Sequence, residues 1–376
     1  MTFSTIKVIT TISSTNNWSS ALNISFFQLL TGDFNVDGLQ DYLINRNIGL
    51  GETKDSPGII LQKTDGTYYD ATTSLFRGAI PGVEFTPRIL VADLNKDNQT
   101  DIYLPDFGTH PTNVDGNSSY PGAKDTLILS NGDGTLTDVS STLTSPVSLA
   151  HGSCVGDINS DGWLDLVVSD TDWRVPNPTK VLINDGTGHL VLKSNELLPK
   201  SLNGIGATRF TWCHLTDLNN DGYDDLVLGP MSAKDSPPIV LFNDGTGSFK
   251  NSKSYTLPSG PMIDNSIVNI QSTDLNGDNL QDLILSITEG DSSNYYNKGY
   301  IQILINQGDG KFSDETSTRY AQDVSTNSTW WVFINLVDMN GDGAKDIALV
   351  AGTSTRVLLN DGHGYFSNAY TLPWDN

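Results

Sequence analysis

The sequence is poor in basic residues and in long apolar runs. Its 376 residues contain 21 Lys and Arg against 44 Asp and Glu, which gives a formal charge of −23 and a pI near 4.3. Nucleic acids and anionic membrane surfaces are recognised by clusters of Lys and Arg, so we expect neither as a partner. No apolar run approaches the roughly 18 residues of a membrane span, and we therefore expect no membrane insertion.

The N-terminus, Met1 to Lys7, lacks the continuous apolar core of a secretory signal. Either a signal was removed or lies on a longer parent, export uses another route, or the protein stays inside the cell. Cysteine is also scarce. Cys154 and Cys213 are too few for a disulfide framework, and they precede two copies of an Asp-rich motif by three and four residues. Along a strand these offsets face opposite sides, so we predict two buried free thiols.

What the chain does contain is an internal repeat. A nine-residue pattern, Asp-x-Asn-x-Asp-Gly/Asn-x-x-Asp, occurs six times at spacings of 60, 64, 60, 57 and 64 residues. The copies begin at Asp33, Asp93, Asp157, Asp217, Asp274 and Asp338. A second pattern, Asn-Asp-Gly, follows in the same repeats and is complete at residues 184–186, 243–245 and 360–362. Periods of this length are typical of propellers and arrays.

Each repeat reads as four short strands. An apolar stretch enters the Asp motif, a second strand leaves it, and a third ends at Asn-Asp-Gly, a strong hairpin signal, before the fourth. Solenoid coils are shorter than this repeat, and tandem sandwiches need longer ones. We therefore predict an all-β chain, a β-propeller of six four-stranded blades, with seven blades as the alternative. Residues 1–376 would form one domain, in which residues 1–17 supply a ring-closing outer strand.

The nine-residue motif has the chemistry of a calcium loop. Calcium takes six to eight oxygen ligands, and positions 1, 3, 5 and 9 carry Asp, Asn, Asp and Asp in every copy. Position 7 varies freely, as expected where only a backbone carbonyl is used, and position 6 is Gly or Asn, which tolerate a left-handed turn. The predicted ligands are Asp33, Asn35, Asp37, Leu39, Asp41; Asp93, Asn95, Asp97, Gln99, Asp101; Asp157, Asn159, Asp161, Trp163, Asp165; Asp217, Asn219, Asp221, Tyr223, Asp225; Asp274, Asn276, Asp278, Leu280, Asp282; Asp338, Asn340, Asp342, Ala344 and Asp346.

The absence of His and Cys from these loops argues against zinc, and magnesium demands a stricter octahedron. We expect five or six Ca²⁺ per chain in a structural role, which would offset about half of the negative charge. The alternative is that Asp, Asn and Gly only form turns.

The pattern resembles the FG-GAP/VCBS repeat family, which includes the integrin α-chain propeller and several lectin and enzyme-associated propellers. The resemblance extends from about residue 20 to 370. It rests on the Asp motif, because the literal Phe-Gly and Gly-Ala-Pro signatures are mostly absent. It is therefore closer to bacterial calcium-loop repeats than to integrin chains, and it implies a propeller with a calcium loop in each blade.

A ligand would bind at the strand ends opposite the Asp motifs, where the loops are long and irregular. Aromatic side chains with a few polar partners on such loops suit a carbohydrate or a peptide. The candidate ligand contacts are His110, Tyr120, Trp173, Arg174, Tyr295 and Tyr296. Packing between blades is the alternative role for these side chains.

No catalytic residue is assigned, because the chain has no nucleophile elbow, zinc helix signature or phosphate loop. We expect a calcium-stabilised, non-enzymatic propeller that binds a carbohydrate or a protein, in the manner of a lectin or an adhesion domain. A polysaccharide lyase and a structural module of a larger secreted protein are the alternatives. The calcium supply outside cells favours an extracellular or cell-surface location.

Overall fold

Short antiparallel strands make up most of the chain. The computed structural model describes residues 28–45, 56–108, 112–114, 117–119, 121–172, 175, 178–204, 206–232, 236–261, 265–291, 294–322, 333–351 and 354–373. Within these ranges the helices are single turns: α1 (Thr72–Leu75), α2 (Ser194–Leu197) and α3 (Thr316–Arg319), with 3-10 turns at Ser140–Thr142 and Lys200–Leu202. None of the helices in this described part has the length and apolar character needed to cross a membrane.

The strands form six antiparallel sheets of four strands, here called blades 1 to 6. Blade 1 contains β1 (Gln28–Gly32), β2 (Asp41–Asn45), β3 (Gly58–Gln62) and β4 (Tyr68–Asp70). Blade 2 contains β5 (Leu90–Ala92), β6 (Asp101–Leu104), β9 (Thr126–Ser130) and β10 (Leu136–Asp138), and the hairpin β7 (Thr112–Val114) and β8 (Asn117–Ser119) is inserted after β6. Blade 3 contains β11 (Ala150–Gly156), β12 (Asp165–Asp170), β13 (Thr179–Asn184) and β14 (Leu190–Leu192).

Blades 4 to 6 repeat the same strand order. Blade 4 contains β15 (Phe210–Thr216), β16 (Asp225–Pro230), β17 (Ile239–Leu241) and β18 (Ser254–Thr256). Blade 5 contains β19 (Asn265–Thr273), β20 (Asp282–Asp291), β21 (Asn294–Asn306) and β22 (Phe312–Asp314). Blade 6 contains β23 (Phe333–Val337), β24 (Asp346–Ala351), β25 (Ser354–Asn360) and β26 (Phe366–Pro373). The prediction of an all-β, six-bladed β-propeller is confirmed. The ring-closing strand predicted for residues 1–17 lies outside the described residues.

The described chain groups into two compact units. One extends to Cys213 and includes residues 243–252, and the other contains residues 214–242 and the chain from Lys253 onward. In the first unit, apolar side chains of blades 1 and 2 share a core that includes Leu43, Ile59 and Ile102. In the second unit, blades 5 and 6 share a core that includes Ile303 and Leu358. In each unit the faces of neighbouring blades are thus buried against each other. For this reason the strands carry apolar residues on both faces.

Every Asp motif lies between the first and second strands of its blade, as predicted. The motif that begins at Asp157, for example, joins β11 to β12, and the turn at residues 185–189 joins β13 to β14. Because the strands are antiparallel, the Asp motif and the Asn-Asp-Gly turn of a blade lie at the same end of its sheet.

The prediction of two free thiols is wrong, because Cys154 and Cys213 form a disulfide. Their Cα atoms lie 5.7 Å apart on β11 and β15, the first strands of blades 3 and 4. The two cysteines were correctly predicted to lie on opposite faces of their strands, but it did not follow from this that their thiols are free. Two adjacent blades meet through opposite faces, so side chains of opposite parity are the ones that approach each other. Both cysteines are buried, and the bridge joins two sheets that share no strand.

Candidate metal loops and ligand-binding end

The six Asp motifs share one hydrogen-bond pattern, which the first copy illustrates. Oδ1 and Oδ2 of Asp33 at position 1 accept the N–H groups of Asp37 and Gly38, at 3.3 and 3.0 Å. Oδ1 of Asn35 at position 3 accepts the same Asp37 N–H at 3.3 Å, and its Nδ2 donates to Asp37 Oδ2 at 2.9 Å. Oδ1 of Asp37 at position 5 accepts the N–H of Leu39 at 2.8 Å. Side-chain oxygens of positions 1 and 3 therefore converge on a single backbone group.

The Asp at position 9 has a different environment, because it is fully buried in every copy. In blade 3, Oδ2 of Asp165 accepts the N–H of Ile158 at 3.0 Å, and its Oδ1 accepts the N–H of Asn184 at 2.8 Å. The carboxylate thus fixes the loop to the end of the third strand. From the sequence this residue was assigned only to metal binding, and its hydrogen bond to the end of the third strand was not predicted.

Position 4 is left-handed in all six loops, which the sequence did not suggest. Position 6 was predicted to be left-handed, and its φ values lie between 64° and 93°. Position 4 also has positive φ in every copy: Val36, Lys96, Ser160, Asn220, Gly277 and Gly341. Val36, with a φ of 59°, is the unfavourable case, because a β-branched side chain rarely adopts this conformation.

We expect the substitution Val36→Asn to stabilise the protein by about 1 kcal/mol, because left-handed backbone costs an ordinary L-residue roughly 1–2 kcal/mol and Asn tolerates it. Val36 is 45% exposed, so little apolar burial is lost. Urea denaturation of both proteins measures the difference. Val147→Asn, at a valine that is also 45% exposed but lacks positive φ, is the matched control and should bring no gain. Equal or lower stability of the Val36 variant would contradict the strain argument.

The carboxylates of each loop are close enough to repel one another. Burial raises the pKa of Asp41 to about 6, and the negative charges of Asp37 and Asp33 add to this rise, although backbone N–H donors oppose it. The position-9 carboxyls of blades 2, 3 and 5 behave in the same way, with burial the largest cause and pKa values of about 6. A cation in the loop would relieve this repulsion.

Across the described ranges, no group of three or more His, Cys, Asp or Glu side chains is arranged as it would be around a metal ion. In this conformation the loop oxygens accept backbone N–H groups instead. The donor set still fits a hard cation, because three carboxylates, one amide oxygen and a backbone carbonyl are all oxygen ligands on one short loop. The residues that would hold the cation are those at positions 1, 3, 5, 7 and 9.

The asparagine that ends the third strand connects neighbouring blades. Oδ1 of Asn184 accepts the N–H groups of Gly186 and Gly188 in its own turn, at 3.1 and 3.0 Å. Its Nδ2 donates to the carbonyl oxygen of Leu94, at position 2 of the Asp loop in blade 2, at 2.7 Å. Asn243 and Asn306 donate in the same way to position 2 of the preceding blade. Each of these side chains therefore joins its own turn to the Asp loop of the preceding blade.

Blade 2 makes this connection with another side chain. Ser130 stands where blades 3 to 6 have the asparagine, and Gln99 at position 7 takes over its function. Nε2 of Gln99 donates to the carbonyl oxygen of Phe34 at 2.8 Å, and its Oε1 accepts the N–H of Gly134 at 3.1 Å. The sequence contained a signal for this replacement, because Ser in the turn and Gln at position 7 occur in the same repeat.

We expect Asn184→Ala to lower the free energy of unfolding by about 1–3 kcal/mol, the usual cost of leaving buried backbone groups without partners. Asn184 is 1% exposed. Its matched control is Asn131→Ala in the blade 2 turn, where the exposed amide contacts only the hydroxyls of Thr135 and Thr137. The control should stay within about 0.5 kcal/mol of the parent by denaturant titration. Similar effects of the two substitutions would contradict the connecting role.

Of the candidate ligand contacts, His110, Tyr120, Trp173 and Arg174 lie outside the described residues. Tyr295 and Tyr296 lie on β21, in the part of blade 5 where β20 and β21 continue their pairing up to Asp291 and Asn294. Blade 2 carries the inserted hairpin β7–β8 after β6. The strand ends opposite the Asp loops therefore carry structured insertions in both blades.

Aromatic and cationic side chains also meet at the end of blades 2 to 4 that lies opposite the Asp loops. The rings of Phe85 and Phe107 pack edge to face, and Phe107 packs in the same way on His151. Arg88 lies 4.8 Å from the ring centre of Trp212, and both are buried. Burial lowers the pKa of His151 to about 4, and the Arg88 charge adds to the effect. Arg88 and Trp212 therefore belong to the buried packing at this end of the blades.

His214 is part of a contact between blades 4 and 5. Its Nε2 lies 2.8 Å from Oγ of Ser272, whose hydroxyl donates to Thr216 at 3.1 Å. Burial lowers the pKa of His214 to about 4, so its ring is neutral near pH 7.

Four-stranded blades in sequence order, each with an Asp loop between its first two strands, define a β-propeller of the repeat type. The FG-GAP-like repeat model matches residues 114–168, 217–285 and 274–349, which together make up half of the chain. The chain belongs to the FG-GAP-like repeat family.

Among curated proteins, the chain is similar to integrin alpha-8 of Mus musculus and of Homo sapiens. Each is 33% identical over 128 residues, which cover 28% of this chain and 12% of the integrin. The match thus spans about an eighth of the length of these relatives.

Solved structures share the fold at low identity. An Agrocybe aegerita lectin that recognises non-reducing terminal N-acetylglucosamine aligns with a TM-score of 0.51 and 17% identity, over 93% of this chain and 80% of its own. A periplasmic gluconolactonase of Pseudomonas aeruginosa aligns with a TM-score of 0.55 and 10% identity, over 90% and 84%. At these identities the likeness is one of fold alone.

Proposed function

We propose that this chain is a calcium-stabilised, non-enzymatic propeller that binds a carbohydrate or a protein outside the cell. The observation that carries the calcium part is the sixfold repetition of one loop, with oxygen ligands at the same positions and the same internal hydrogen bonds. Turn formation alone does not require four oxygen-bearing side chains at the same positions in all six copies. The cation would neutralise the repelling carboxylates and fix each loop to its blade.

An extracellular location is supported by the disulfide between Cys154 and Cys213, since such bonds persist mainly in oxidising compartments. The partial similarity to integrin alpha-8 points in the same direction. Extracellular calcium is also abundant enough to fill weak sites.

The ligand would bind at the end of the blades opposite the Asp loops. Asp loops repeat almost without change, whereas the opposite loops differ in length and carry the β7–β8 hairpin and the extended β20–β21 hairpin. Variable loops on a rigid scaffold are the usual place for recognition. The fold shared with a lectin is compatible with a carbohydrate ligand, and the partial sequence similarity to integrin alpha-8 is compatible with a protein ligand.

A glycan array probed with and without Ca²⁺ tests this function directly. Discrete sugar hits that disappear with EDTA support a lectin, and a lack of hits together with capture of a purified extracellular matrix protein supports adhesion. Shortening of an added polysaccharide would instead reveal the lyase alternative. No binding in any of these assays would contradict the proposal in favour of a structural module.

We expect the double substitution of Trp173 and Arg174 by Ala to weaken binding of an array hit at least tenfold, because aromatic and Arg anchors dominate such contacts. The melting temperature should stay nearly unchanged. Lys63→Ala with Tyr69→Ala is the matched control, since this cation and exposed ring pair near the Asp-loop end of blade 1. A large drop in melting temperature for the Trp173 and Arg174 variant would identify these side chains as core.

A further inference from the structure

A fully buried lysine lies between blades 2 and 3. Lys180 on β13 has no exposed side-chain surface, and the same holds for Asp125, which precedes β9, and for Asp170, which ends β12. Nζ of Lys180 lies 3.0 Å from Oδ2 of Asp125 and 3.5 Å from Oδ2 of Asp170. Burying one ammonium and two carboxylates is costly, and the charges leave one negative charge uncompensated.

The carboxyl group of Asp125 is held at both oxygens. The Tyr103 hydroxyl donates to Oδ2 at 2.8 Å, and the N–H of Asp106 donates to Oδ1 at 3.1 Å. Tyr103 is itself fully buried on β6. Two fixed donors on a carboxyl group stabilise negative charge that develops on its oxygens when a nucleophile attacks its carbon.

Asp170 is placed to move a proton. Its Oδ1 accepts the N–H groups of Leu149 and Asp172, at 3.1 and 2.7 Å. Its Oδ2 is buried, receives no well-formed hydrogen bond from the residues that the structure describes and faces Nζ of Lys180. Oγ of Ser148 lies 2.5 Å from the same Nζ and completes its environment. The amine therefore has a proton acceptor on one side and a polarised carboxyl group on the other.

We propose that Lys180 and Asp125 form an intramolecular isopeptide bond that joins blade 3 to blade 2. Nζ forms a bond with Cγ of Asp125, one C–O bond of that carboxyl group breaks, and the oxygen leaves as water. An ammonium and a carboxylate become one secondary amide and one water molecule, without any redox change. Asp170 takes two protons from the nitrogen one after the other, passes each to the departing oxygen and is unchanged at the end.

The site favours this condensation over the ion pair. The reacting groups are fixed at contact distance, which replaces a bimolecular encounter by a high effective concentration. Amide formation also removes two charges from a site where Lys180, Asp125 and Asp170 have no exposed side-chain surface.

The mass of the intact chain tests the proposal. After reduction and denaturation, we expect the full-length protein to weigh less than its sequence by one water molecule, about 18 Da. Trypsin should cut after Lys124 but not after Lys180, because an acylated lysine is not a substrate. The digest should contain one branched peptide that joins the segments of Asp125 and Lys180. The full sequence mass with cleavage after Lys180 would overturn the proposal and leave an ion cluster.

Variants test the part played by Asp170. Asp170→Asn removes the proton acceptor at nearly constant volume, so we expect the full sequence mass. The matched control is Asp138→Asn, the same change at an exposed blade 2 aspartate, which should retain the loss of water. A loss of water in the Asp170 variant would overturn the role of Asp170. If that variant fails to fold, the mass and peptide map of the parent chain still decide whether the bond exists.

Discussion

Removal of calcium by EDTA is expected to lower the melting temperature by an amount on the order of tens of degrees, or to unfold the chain. Each Asp loop brings three carboxylates together, and burial with mutual repulsion already raises the pKa of five position-9 carboxyls. A cation that binds only the folded state contributes about 2.7 kcal/mol per site at a hundredfold excess over Kd. Several sites together would rival the roughly 5–15 kcal/mol stability of an ordinary domain.

Calorimetry of metal-free protein, with Ca²⁺ or Mg²⁺ added back, measures this effect. Ca²⁺ should restore the original transition, whereas Mg²⁺ should do so poorly because it requires a stricter octahedron and retains its water. Metal analysis of the calcium-loaded protein should find five or six ions per chain. Two or fewer ions, or identical transitions with and without EDTA, would show that the loops act only as turns.

A pair of single substitutions assigns the effect to the loops. Asp161→Ala removes a position-5 carboxylate in blade 3 and should abolish one site and only part of the EDTA effect. Asp185→Ala removes an exposed carboxylate that caps the N–H of Thr187 in the turn of the same blade. This control should bind the same number of ions as the parent. Equal calcium content in the two variants would contradict the ligand assignment.

Loss of the disulfide is expected to lower the free energy of unfolding by about 4 kcal/mol, because the bond closes a long loop in the unfolded chain. Cys154 and Cys213 are separated by 59 residues, and both are buried between blades 3 and 4. The substitutions Cys154→Ala and Cys213→Ala, made together, remove the bridge. Denaturant titration under oxidising conditions gives the difference between this variant and the parent.

A reducing agent provides the control for that comparison. It should lower the free energy of unfolding of the parent chain to nearly that of the double variant, and it should leave the free energy of unfolding of the double variant unchanged. Reductant that shifts both proteins equally would show an effect unrelated to this bond. A parent chain whose unfolding is unaffected by complete reduction would contradict the predicted contribution.

The local features of the fold were predictable because their interactions are close in sequence. Asp33 contacts N–H groups four and five residues ahead, and Asn184 contacts those two and four ahead, so loop and turn appear as fixed residue patterns. Repetition of these patterns gave six blades and four strands per blade. The left-handed position 4 was missed, because Val36 and Lys96 carry no sequence preference for that conformation.

By itself the sequence predicted six blades with seven as the alternative, and it determined the place of each Asp loop and the chemistry of its oxygens. Only the tertiary structure decided which residues of different blades meet. It paired Cys154 with Cys213 and placed the side chain of Asn184 in a hydrogen bond with a carbonyl oxygen 90 residues away. It also buried Lys180 together with Asp125 and Asp170. The physical reason is that strand patterns fix which face a side chain is on, whereas the contact depends on how two separate sheets stack.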